Sequence, residues 1–119
     1  MTDDHNPIAG LSEAQFQRQV MKIAAEWGWR VVHIGRARVG KRWITPTRGP
    51  DGEVVKGFPD LVLVRPPDVV FLELKKRGGV VSAEQRAWIS DLQKCADVEA
   101  YIVGPDDAAD VWRLLAQRP

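Results

Sequence analysis

Two apolar runs constrain this chain most. Asp60 to Val64 and Val69 to Lys75 are rich in β-branched and aliphatic residues, and Arg65-Pro66-Pro67-Asp68 separates them. Proline cannot donate to a strand ladder, so the pair reads as two strands joined by a turn, a hairpin. Both runs are far too short to span a bilayer. Yet Asp60, Glu73 and Lys75 stand in or beside them. An ionised group in an apolar strand is costly unless it pairs or binds a metal, so this placement needs a physical reason. Strand alternation puts Glu73 and Lys75 on one face, with Leu72 and Leu74 on the other. Folding at Pro66-Pro67 carries Asp60 alongside the end of the second strand, where the three charges can converge.

Helix signatures flank the hairpin. Ser12 with Gln15 has the pattern of a capping box, and Phe16, Val20, Ile23, Ala24 and Trp27 follow at helical spacing until Gly28. Trp29 to Ile34 reads as a strand. After Gly78-Gly79, Ser82 with Gln85 repeats the capping pattern, opening a helix expected to bury Trp88, Ile89, Leu92 and Cys95. Val98 to Val103 reads as a further strand ended by Gly104-Pro105. Asp106 or Asp107 then caps a last helix with Ala108, Val111, Trp112 and Leu115 on its stripe. The helix between hairpin and last strand is long enough for a crossover, so those strands can run parallel. The expectation is an α/β fold, a mixed sheet flanked by helices in the order α-β-β-β-α-β-α.

The 119 residues suit one domain, 45% of them hydrophobic and 28% charged, as in a globular protein. A flexible polar tail is expected over 1–11 and a single domain over 12–119. The start Met1-Thr-Asp-Asp-His lacks the character of a signal peptide, and the single Cys95 can form no internal disulfide, so a cytoplasmic setting is expected. No repeat or glycine-rich phosphate loop is present; Gly-Arg-Ala-Arg-Val-Gly is not a dinucleotide fingerprint.

A net charge of +1 argues against a nucleic-acid binder only until its distribution is considered. Residues 35–56 hold Arg36, Arg38, Lys41, Arg42, Arg48 and Lys56 against Asp51 and Glu53, a local net of +4 that leaves −3 for the rest. The segment is rich in glycine and proline and reads as a loop or loose hairpin. It is either a solvated surface loop or a grip for a phosphate backbone. Trp43, amid these cations, either stacks on an unpaired base or packs onto its own domain.

Two carboxylates beside a lysine suit hydrolysis of a phosphodiester. Their hard oxygens favour Mg2+ or Mn2+, which lowers the pKa of a bound water, while lysine orients that water or neutralises developing charge. Taken singly, Asp60 reads as a turn residue and Glu73 with Lys75 as a solvated strand face. Taken together across the hairpin, they point to a metal site.

The pattern Gly57-x-Pro59-Asp60 followed by Glu73-x-Lys75 resembles the Pro-Asp…Asp/Glu-x-Lys nucleases, which include restriction endonucleases and junction resolvases. With Ser82-x-x-Gln85-x-x-Trp88 following, and Ser12-Glu13 to Gln17 ahead, the chain from about Ser12 to Val103 resembles the virus-type replication-repair nuclease (VRR-NUC) family. The resemblance implies a restriction-endonuclease-like sheet and divalent-metal-dependent cleavage of DNA. It implies that Asp60, Glu73 and the main-chain carbonyl of Leu74 hold the metal, that Lys75 is the catalytic lysine, and that Glu13 completes the site directly or through water. Gln85 would line the site from the second helix. It further implies a homodimer acting on branched DNA such as four-way junctions, with a phage or bacterial source; relatives active on flaps carry a further domain, for which this chain leaves no room. Among the residues themselves, Glu13 also suits a helix first turn and Gln85 a capping box. His33 reads as a packed histidine, and Trp27, Trp29, Trp88 and Trp112 as core or dimer interface. A nuclease without branch preference and a non-catalytic DNA-binding module are the competing functions.

Overall fold

The computed structural model of the chain describes residues 11–35, 37–44 and 47–116. Helix α1 (Glu13–Glu26) leads into strand β1 (Arg30–His33), and strands β2 (Ala37–Val39) and β3 (Arg42–Ile44) pair as a separate ribbon. Strands β4 (Leu61–Arg65) and β5 (Asp68–Leu74) follow, then helix α2 (Ala83–Gln93) and strand β6 (Glu99–Val103). A 3-10 turn at Pro105–Asp107 runs into helix α3 (Ala108–Ala116). The main sheet has the order β1-β4-β5-β6. β1–β4 and β4–β5 are antiparallel, and β5–β6 is parallel across the α2 crossover. This is the expected α/β architecture with a mixed sheet between helices.

Both expected capping boxes form. The Ser12 and Ser82 hydroxyls accept from the N–H of Gln15 and Gln85, and each glutamine amide oxygen accepts from the serine N–H in return. The hairpin turns at Pro66-Pro67, pairing Arg65 with Asp68. One sheet face, carrying Leu61, Leu63, Val70, Leu72 and Leu74, packs on Phe16, Val20 and Ala24 of α1 and on Ala108, Val111 and Leu115 of α3. The opposite face carries Phe71 and Ala100 towards α2, where Phe58 packs edge-on to both Phe71 and Trp88. Trp29 closes the first core, donating its indole N–H to the Leu115 carbonyl at 3.0 Å. Arg65 lies over the Trp29 ring and donates to the carbonyl of Trp27 at the end of α1.

Several expectations are corrected. Trp27 caps α1 and is 40% exposed, because the helix ends one residue before it and the stripe ends there too. Cys95 lies past the end of α2 and is exposed, so it is not part of a buried helix face. Of the loop or loose hairpin expected for the basic segment, the hairpin forms: it contains the β2–β3 ribbon and a bridge between Arg48 and Val54. The last helix is entered through the 3-10 turn, with the Asp107 carboxylate accepting from the Gly104 N–H. Of the tail expected over 1–11, only Leu11 is described, and it packs against the core.

Candidate active site

The two ends of the hairpin meet as the strand pattern requires. Asp60 stands just before β4, and its main-chain carbonyl accepts from the Ile34 N–H at 2.7 Å, tying it to the end of β1. Its Oδ2 accepts from the Leu74 N–H at 2.9 Å, tying it to the end of β5. Pro59 before it is fully buried, and Gly57 adopts φ +84°. A Cβ on Gly57 would fall 2.6 Å from the Glu84 carbonyl carbon and 2.7 Å from the Gln85 nitrogen. Only glycine suits both the left-handed backbone and this approach to the first turn of α2. The Gly-x-Pro-Asp turn is thereby locked against the helix that carries Gln85.

Glu73 is the one charged side chain among the buried described residues, 2% exposed. Its Oε2 accepts from Gln85 Nε2 at 2.8 Å and lies 3.4 Å from Lys75 Nζ. Its Oε1 is buried without a hydrogen-bond partner. Burial pushes the Glu73 carboxyl up to about 7; the nearby Asp60 adds to the rise and Lys75 opposes it. Burial also raises Asp60, against the Leu74 N–H, with Glu13 adding to the rise and Lys75 and His33 opposing it.

These groups share an open cleft of about 450 Å³ at the end of the sheet, lined also by Glu13, Gln17, His33, Lys56 and Gly57. Asp60, Glu73, Lys75, Glu13 and Gln85, all picked out in the sequence, are therefore brought together. Gln85 serves in both of the roles left open for it: its amide oxygen completes the Ser82 capping box while its nitrogen donates to Glu73. His33 is not packed; it is exposed at the cleft wall. Gln17 was not singled out in the sequence, although its position four residues after Glu13 places both on one helix face. Of the basic set, Lys41 and Arg48 are exposed. Arg36 lies outside the described residues, as do the side chains of Arg38, Arg42 and Trp43, whose backbones form the ribbon.

A mixed sheet between helices, with an acid pair and a lysine where its central strands end, is the frame of a nuclease-type domain. The VRR-NUC domain matches residues 14–104, and the chain belongs to that family. No curated protein and no solved structure is similar enough to register as a match. Family membership makes DNA the expected substrate class. Among the described residues, no helix is long and apolar enough to cross a membrane.

Proposed function

We propose that the chain is a divalent-metal-dependent endonuclease hydrolysing DNA phosphodiester bonds at Asp60, Glu73 and Lys75. The observation that carries this reading is the unpartnered Glu73 Oε1, buried beside a second carboxylate, both acids raised in pKa. One lysine does not offset two carboxylates at close range, and their hard oxygens fit Mg2+ or Mn2+. Among the described residues, no three His, Cys, Asp or Glu side chains are grouped to hold an ion by themselves. Asp60, Glu73 and the Leu74 carbonyl would hold the ion, with Glu13 acting through water. When bound, the ion would supply Lewis acidity, polarising the phosphodiester and acidifying water.

The chain's own groups do the rest. Gln85 and Lys75 both occupy Glu73 Oε2, so Oε1 is the oxygen left to face the ion. Lys75 Nζ, held beside that carboxylate and 18% exposed, orients the attacking water and donates to a phosphate oxygen as charge develops there. The basic segment 35–56, which brings Lys56 to the cleft wall, grips the strand. The favoured substrate in this reading is branched DNA, cut by a homodimer; the likeness of the motif set to stand-alone family members supports it. The test compares a four-way junction, a flap, a single strand and a plain duplex of equal length in Mg2+. The junction should be cut fastest. Equal rates on all four would remove the branch preference, and cleavage undiminished in excess chelator would remove the metal.

A further inference from the structure

Three polar side chains lining the cleft are already committed: Lys75 and Gln85 to Glu73, and the Thr47 hydroxyl to the Val55 carbonyl at 2.7 Å. Gln17 and His33 are not. Both line the cleft, and neither side chain hydrogen-bonds to another described residue. They come from neighbouring elements on the same side: Gln17 lies one turn along α1 from Glu13, and His33 ends β1, opposite Leu61. A Cβ on Gly35 would fall 2.5 Å from His33 Nε2 and 2.8 Å from Cε1, so the imidazole lies directly over bare backbone. Gly35 is not among the residues with positive φ, so glycine there makes room for the ring and serves no turn.

We propose that Gln17 and His33 form a phosphate-holding wall, gripping the DNA strand at a phosphodiester next to the one cleaved, and that Gly35 lets the imidazole lie in the cleft. An amide offers two N–H donors and an imidazole at least one in either protonation state, and hydrogen bonds to anionic oxygens are among the strong ones. The neighbouring phosphate keeps its charge throughout, so the contact is equal in ground and transition states and acts on KM. The proposal rests on the nuclease reading above, and its test separates the two.

With a fluorescein-labelled duplex, His33→Ala and Gln17→Ala should each raise KM about tenfold and change kcat less than about threefold. Gly35→Ala should match His33→Ala and add nothing in a His33→Ala background. A methylphosphonate at one position flanking the cleaved bond should weaken the parent and leave the Gln17→Ala, His33→Ala double variant unaffected. Unmoved KM in both single variants overturns the proposal, as does a Gly35→Ala effect retained in full without the imidazole, or equal methylphosphonate penalties in parent and double variant. Anisotropy binding of the same duplex in EDTA is read in parallel. Weaker binding by the variants of a parent that cleaves nothing refutes the nuclease reading and leaves the wall standing. A parent that cleaves, with variants unchanged in KM and binding, refutes the wall alone.

Discussion

Glu73 concentrates the chemistry of this chain. It is a buried carboxylate with one oxygen doubly engaged and the other bare, an arrangement that costs stability in the protein without metal. The sign of the pH dependence follows. Glu73 and Asp60 are both raised in the folded state, so that state holds their protons more tightly than the unfolded chain. The stabilisation is complete below the ordinary glutamate value of 4.5 and is lost as pH rises through about 7. Melting in EDTA should therefore show Glu73→Gln gaining stability over the parent as pH rises across that window. A difference that stays constant would contradict the buried charge. Protons compete with the cation for the same oxygens, so calorimetric Mg2+ affinity should rise over the same window. Gln85→Ala should cost about 1–3 kcal/mol in urea unfolding, since it removes half a capping box and a donor to a buried carboxylate. Gln85→Glu should recover the cap but set a second carboxylate against Glu73 Oε2, so at neutral pH it should be no more stable than Gln85→Ala.

At the scale of elements, the site is three segments pinned together: the Gly57–Asp60 turn, the end of β5 and the first turn of α2. Gly57→Ala strains a φ of +84° and drives a Cβ into the helix backbone, so it should cost at least about 2 kcal/mol and weaken cleavage as well as stability. A urea midpoint equal to that of the parent would show that the turn is not locked. The elements legible in the sequence are those with local causes: both capping boxes, the hairpin at Pro66-Pro67, and the Asp60–Glu73–Lys75 convergence that strand alternation requires. What was not legible depends on neighbours or on where an element stops. By spacing, the stripe of α1 runs on to Trp27 and that of α2 to Cys95, yet both helices end before those residues. His33 sits on an edge strand, where alternation gives a face without saying whether anything covers it. The three-residue strands of the ribbon carry no apolar alternation long enough to read. For Gln85, the two ends of the amide serve different partners, which a single letter in the sequence does not separate.

Over the whole molecule, charge is separated more sharply than the net of +1 suggests. The segment 35–56 carries +4 and the remainder, which includes the acid pair, −3. A bound divalent cation takes that remainder to about −1, so DNA meets a more positive surface in the loaded protein than in the bare chain. Binding should accordingly weaken with salt, and Lys41→Glu should flatten the slope of log K against log salt by about one or more while sparing the Mg2+ affinity of the cleft. An unchanged slope would show that DNA does not run along this side. Whether Asp60, Glu73 and Lys75 form one metal-dependent cutting site is read from supercoiled plasmid. Nicking by the parent, Asp60→Ala, Glu73→Ala and Lys75→Ala proteins is followed in Mg2+ and in EDTA, with circular dichroism confirming that each is folded. The parent should nick in Mg2+ alone and all three folded variants in neither condition. Full nicking by any folded variant, or by the parent in EDTA, would show that the three residues do not form such a site.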